Sequence, residues 1–187
     1  MNAGLKRFSS SAVVLAAALL LSACASDNPD ELIASAQSYL QRKDAPAAII
    51  QLKNALQARP KSAQARLLLG EALEATGDVK GAATEYQKAQ DYGASADDVA
   101  PRLARMLLLQ SQYRKLTTDF SSTTLSNAQA QASLQTTLAQ AWQRQDRRDK
   151  FQTHIGAALG LQPDYAPALI ALSQAHAGRG DAPAALA

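Results

Sequence analysis

Thr76-Gly77-Asp78-Val79-Lys80-Gly81-Ala82 decides the fold, because close copies stand at Arg42-Lys43-Asp44-Ala45-Pro46-Ala47-Ala48 and Arg179-Gly180-Asp181-Ala182-Pro183-Ala184-Ala185. Each stretch reads as the junction of two helices. A glycine takes the left-handed conformation that ends one helix, and the aspartate caps the next. Asp44 and Asp78 are 34 residues apart, and Asp181 follows Asp78 by 103, about three more periods. A period of 34 predicts an all-α solenoid of stacked antiparallel helix pairs. Composition agrees: Ala, Gln and Leu dominate, aromatic residues make up only 5%, and no segment alternates as a strand would.

Working outward, small and large apolar residues recur at matching places. Leu32, Ala36 and Tyr39 mark a first helix, with Ala48, Leu52, Ala55 and Pro60 on its partner. Leu69, Gly70 and Leu73 are followed by Ala82, Tyr86 and Ala89. Leu103, Ala104 and Leu107 precede Leu116 and Phe120, a degenerate unit with leucine where a small residue is expected. Leu138, Ala139 and Trp142 precede Phe151, Ile155, Ala158 and Pro163, and Leu169, Leu172, Ser173 and His176 open a fifth unit. Small residues let paired helices approach, and the larger ones fill the next gap. The pattern resembles the tetratricopeptide repeat (TPR) and predicts a right-handed superhelix of about 4.5 units. The expected divisions are a leader at 1–23, a tether at 24–28, three units at 29–120, an irregular link at 121–127, and units four and five at 128–187. Thr117 to Asn127 is poor in helix formers and is read as a short second helix followed by a link. That link bends the array or separates its first units from the rest. The last unit stops just past Ala185. A solenoid normally closes on a polar capping helix, so the chain is expected to be part of a longer array or a truncated copy of one.

Leu21-Ser22-Ala23-Cys24 follows Lys6, Arg7 and an apolar run from Ala12 to Leu21. That order is a secretory leader, and its end resembles the bacterial lipobox, in which the cysteine is lipidated and becomes the first residue. The apolar run is short of the ~20 residues a membrane-spanning helix needs. Loss of Lys6 and Arg7 with the leader leaves 17 basic against 16 acidic side chains, so the pI of about 9.1 is no sign of a nucleic-acid partner. Lipidation of Cys24, the single cysteine, leaves no thiol for a disulfide or a thiolate metal site. Two or three acyl chains make a stable anchor. Ala25 stands where an aspartate would retain a lipoprotein in the inner membrane, so the lipobox resemblance implies the outer membrane, facing the periplasm.

Ile50-Gln51-Leu52-Lys53-Asn54-Ala55-Leu56-Gln57, then Ala65-Arg66-Leu67-Leu68-Leu69-Gly70, then Asp91-Tyr92-Gly93-Ala94 leading into Leu103-Ala104-Arg105, resemble the PEP-CTERM system TPR-repeat lipoproteins (PrsT-type). The resemblance implies a lipid-anchored scaffold that binds proteins in exopolysaccharide export and exosortase sorting. It carries no catalytic residues. A pilotin or outer-membrane assembly lipoprotein is the alternative. An enzymatic role would need a domain beyond Ala187.

Repeat geometry assigns partner binding to the concave surface of the first helices, with Ile33, Gln37, Gln41, Leu67, Glu71, Glu74, Arg105, Leu108, Gln140 and Arg144 as candidates. Scattered apolar residues among polar ones suit an extended peptide. The lysine and asparagine pairs with which chaperone-type repeats clamp a carboxylate are missing, so no such tail is expected. No cofactor, metal or small-molecule substrate is expected either. The two histidines, His154 and His176, fall on different repeats, His154 exposed and His176 packed. No spacing fits a metal site, and no glycine-rich phosphate loop is present. Gly156 and Gly160 are expected to permit close helix contact. Arg179-Gly180-Asp181 is a turn rather than an adhesion motif. Arg144, Arg147, Arg148 and Lys150, interrupted by Asp146 and Asp149, read as a solvated helix junction.

Overall fold

The computed structural model describes residues 28–177; Leu21, Ser22, Ala23, Cys24 and the junction from Arg179 to Ala185 lie outside the described residues. Nine helices and no strand occur among the described residues. They are α1 (Pro29–Gln41), α2 (Ala45–Ala58), α3 (Ala63–Ala75), α4 (Val79–Asp91), α5 (Ala96–Leu109), α6 (Tyr113–Phe120), α7 (Ala128–Gln143), α8 (Arg148–Leu161) and α9 (Ala166–Ala177). Four helix pairs and one further helix make a solenoid of about four repeats.

The helices begin where the sequence offers a cap. Asn28, Asp44, Ser62, Asp78, Ser95 and Asn127 each accept a backbone N–H of the following first turn. Each bond satisfies one donor that the helix start leaves open. α6 and α8 follow Gln112 and Arg147, which make no such bond.

The junction inside each pair is one backbone motif used four times. Lys43, Gly77, Ser111 and Asp146 hold φ of 61°, 81°, 58° and 57°. The next residue's N–H reaches back to Tyr39, Leu73, Leu107 or Trp142, at 2.9 to 3.0 Å. The left-handed residue's own N–H bonds the carbonyl three residues earlier, that of Leu40, Glu74, Leu108 or Gln143. These two bonds close a helix end with a left-handed residue, and glycine is the residue that adopts it without steric cost. Three of the four junctions use another residue. The conformation is therefore fixed by the paired helices and not by glycine alone.

Packing follows the small positions. A Cβ added at Gly70 would come within 2.5 Å of the Tyr86 ring, so α3 and α4 touch through a missing side chain. Ala36, Ala104 and Ala139 are fully buried at the equivalent places. Gly156 and Gly160 behave otherwise. A Cβ at either would meet nothing within 4 Å, so they do not serve close helix contact on α8.

Three apolar clusters form the core, one under α1 to α3, one from α4 through α7, and one among α7, α8 and α9. The middle cluster runs across the link without a break, because Leu125 of the link belongs to the same cluster as Leu116 and Phe120 of α6 and Leu134 and Leu138 of α7. The link is tied down as well. Asp97 accepts the backbone N–H groups of Ser126 (2.8 Å) and Asn127 (3.2 Å) and the Ser126 hydroxyl, while Gln131 accepts the Leu125 N–H at 2.8 Å. The segment therefore does not separate the early units from the later ones. It is a fastened bridge between α6 and α7.

Candidate partner-binding groove

The first helix of each pair, α1, α3, α5, α7 and α9, supplies the side chains expected on the inner surface. Gln37, Gln41 and Arg144 are exposed, and Gln140 is half-buried. Ile33 is not available. It is 4% exposed, packed in the core of α1 to α3 with Leu32 and Leu69, and must be removed from the candidate set. Leu67 and Leu108 are half-buried against the middle core cluster, leaving each an apolar edge.

Glu71, Glu74 and Arg105 are brought together, with partners that the sequence reading passed over. Glu71 pairs with Arg102 at 2.9 Å, and Glu74 pairs with Arg105. Glu74 also accepts the hydroxyl of Tyr86 at 2.8 Å. Both ion pairs join α3 to α5, the first helices of successive units. Burial is the main cause that raises the Glu71 carboxyl above its ordinary pKa; Arg102 opposes it, and Glu74 and Asp98 add to it. Burial, then the hydrogen bond to Glu74, raises the Tyr86 phenol well above its ordinary value, so it stays a neutral donor. The spacing was legible in principle: each arginine follows its glutamate by 31 residues, nearly one repeat.

Beside these pairs an open cleft of about 370 Å³ lies between α5 and α7. Asp98, Pro101, Arg102 and Arg105 line one bank, Gln129 and Ser133 the other, and Tyr165 also contributes. Such a surface offers amide and hydroxyl groups to a peptide backbone and charged pairs to its side chains. Leu109 (55% exposed) and Ile170 (57%) add apolar area on α5 and α9.

A second polar network lies behind the inner wall. Glu85 is 8% exposed and takes Arg66 at 2.6 Å and Lys88 at 2.9 Å. Arg66 also donates two bonds to the Pro60 carbonyl. His154 is half-buried, not exposed as expected, with Nδ1 2.6 Å from Oε1 of Gln135 on α7. Burial, and then Lys150, lower its pKa below the ordinary value. The indole N–H of Trp142 is buried without a hydrogen-bond partner, and the Arg147 guanidinium stands 5.8 Å from that ring. Among the described residues no helix is long and apolar enough to cross a membrane, and no three His, Cys, Asp or Glu side chains gather as metal ligands would.

Stacked helical hairpins joined by one recurrent turn, with a side-chain-lined inner surface, define a helical repeat solenoid. Residues 33–99 match the tetratricopeptide repeat family, and the described residues fold as a tetratricopeptide-repeat solenoid. Among solved structures, residues 41 to the end of MamA from Desulfovibrio magneticus RS-1 are similar at 18% identity and a TM-score of 0.70, over 86% of this chain and 90% of that one. The pilF protein of Pseudomonas aeruginosa is similar at 20% identity and 0.68, over 84% and 71%. YrrB, described as a TPR protein with an unusual peptide-binding site, is similar at 18% identity and 0.57, over 83% and 79%. At these identities the likeness is one of fold. No curated protein matches the sequence.

Proposed function

We propose that this protein is a non-enzymatic, lipid-anchored scaffold on the periplasmic side of the outer membrane. It holds protein partners involved in exopolysaccharide export and PEP-CTERM sorting. The observation that carries the binding role is the open surface of successive first helices. There the Glu71–Arg102 and Glu74–Arg105 pairs brace α3 against α5 beside an unfilled cleft. A groove braced in advance loses less freedom when an extended segment enters it. YrrB, of the same fold, is described by its peptide-binding site. The anchor and location are supported by Leu21-Ser22-Ala23-Cys24 and Ala25, and the sorting role by the resemblance of Ile50–Gln57 and Ala65–Gly70. The anchor holds the groove near its partners and raises their local concentration.

The test has two parts. Mass spectrometry of the membrane fraction should find acyl chains on Cys24, and Cys24→Ser should move the chain to the soluble fraction; wild-type chain free in the cytoplasm would refute the anchor. Crosslinking in the native membrane, with Arg102→Ala/Arg105→Ala as control, should recover export or sorting proteins through the groove. Pilus or barrel-assembly proteins recovered instead would move the role to an assembly lipoprotein and leave the groove standing.

A further inference from the structure

Among the described residues, α9 is covered on one side only. Ala168, Ala171 and Ala175 are buried in the cluster with α7 and α8, while Leu169 and Ile170 stand 44% and 57% exposed. The chain holds a second version of this helix whose covering is the complement. Leu169, Ile170, Ala171, Gln174 and Asp181 follow Leu32, Ile33, Ala34, Gln37 and Asp44 by 137 residues, about four repeats. In α1, Leu32 and Ile33 are only 7% and 4% exposed. Glu31, Ala34 and Ser38, which correspond to Ala168, Ala171 and Ala175, are exposed there. Leu32 and Ile33 are buried with the stripe Ala48, Leu52, Ala55 and Leu56 of α2, together with residues of α3. The same leucine and isoleucine are thus core in one copy and surface in the other, and the buried copy shows what kind of element covers them.

We propose that this face of α9 docks a helix of a partner protein that carries the alanine-and-leucine stripe of α2. The docked helix takes the place on α9 that α2 takes on α1. Two leucines four residues apart cover Leu169 and Ile170, as Leu52 and Leu56 cover their counterparts. Alanines at the places of Ala48 and Ala55 let the two helices approach closely. Ala166–Ala177 contains no Asp, Glu, Lys or Arg, so charge does not select the occupant. Apolar area and shape do. A helix suits the face and an extended strand does not, because only the helical period keeps those four positions on one side.

The experiment uses the full-length chain and a fluorescein-labelled peptide with the sequence of residues 44–59, the helix that covers the buried copy. Anisotropy should show saturable binding that changes little as salt rises, since no charge pair forms. Leu169→Gln/Ile170→Gln should weaken it about tenfold or more. Leu109→Gln, which removes an exposed leucine from α5, should leave it unchanged. Circular dichroism matched to wild type excludes misfolding of the variants. The same peptide with Leu52→Gln/Leu56→Gln should not bind. The proposal is overturned if the α2 peptide does not bind, if the stripe-broken peptide binds equally, or if Leu169→Gln/Ile170→Gln changes nothing. Sedimentation that shows the wild type self-associating, and the double variant not, would make a second copy the occupant and overturn it as well.

Discussion

Gly70 and Gly77 stand seven residues apart, yet each excludes a methyl group for its own reason. At Gly77 a Cβ would meet nothing within 4 Å, and the constraint is the φ of 81°. Gly77→Ala should therefore cost about 1 kcal/mol, the left-handed penalty of an L-residue. At Gly70 the backbone is helical and the Tyr86 ring occupies the space a Cβ would need. Tyr86 is fully buried and anchored to Glu74, so it cannot yield without breaking that bond. Gly70→Ala should cost more, about 2–3 kcal/mol, in the range of core overpacking. Urea unfolding followed by circular dichroism checks both, and equal costs would contradict the contrast. Gly77 as a junction residue was legible in the sequence. Lys43 was legible by its alignment with Gly77, whereas Ser111 and Asp146 in the same conformation were not, because no matching stretch there announces it.

Between elements, buried charge does what apolar contact alone does not. The Arg66–Glu85 pair has side-chain exposures of 15% and 11% and fastens α3 to α4. Glu85→Ala removes the carboxylate that balances the buried Arg66 charge and should destabilise the protein by about 3 kcal/mol. A loss in the unfolding midpoint no larger than that of an exposed control such as Gln57→Ala would show the pair to be idle. His154 couples α8 to α7 in a pH-dependent way. Its folded pKa lies below the unfolded value of 6.5, so the folded state binds fewer protons. Its contribution is full above pH 6.5 and is lost progressively as pH falls from there through the lower folded pKa. Lowering pH from 7.5 to 5.5 should therefore cost wild type more stability than His154→Gln, measured by the shift in urea midpoint. An equal shift would remove His154 from the account. Neither pairing was readable in advance, since each joins side chains 19 residues apart on different helices.

For the whole molecule, α7 is the hub. Leu134 through Ala139 are buried without interruption, and the helix packs on α5, α6, α8 and α9. Hydrogen exchange should find its central amides the slowest among residues 28–177, with the α1 amides faster because that helix packs only on α2 and α3. Asp97→Ala should speed exchange at Ser126 and Asn127, whose N–H groups it holds, while leaving the centre of α7 slow. If α1 proved as slow as α7, stability would be spread evenly along the array.

The sequence by itself determined the helix pairs, their period of 34 and the alternation of small and large core residues, because helix capping and apolar spacing are local properties. It also placed the candidate binding residues on the first helices of the pairs, and of these Arg105 alone lines the cleft between α5 and α7. Only the tertiary structure decided which of those residues face solvent. Ile33 lies on the expected helix yet is buried in the cluster that α1 forms with α2 and α3, a packing no local pattern encodes. The Glu71–Arg102 and Glu74–Arg105 braces and the fastening of the link by Asp97 likewise exist only once successive units stack. Each depends on distances between side chains roughly one repeat apart, which the superhelix sets and the chain order does not.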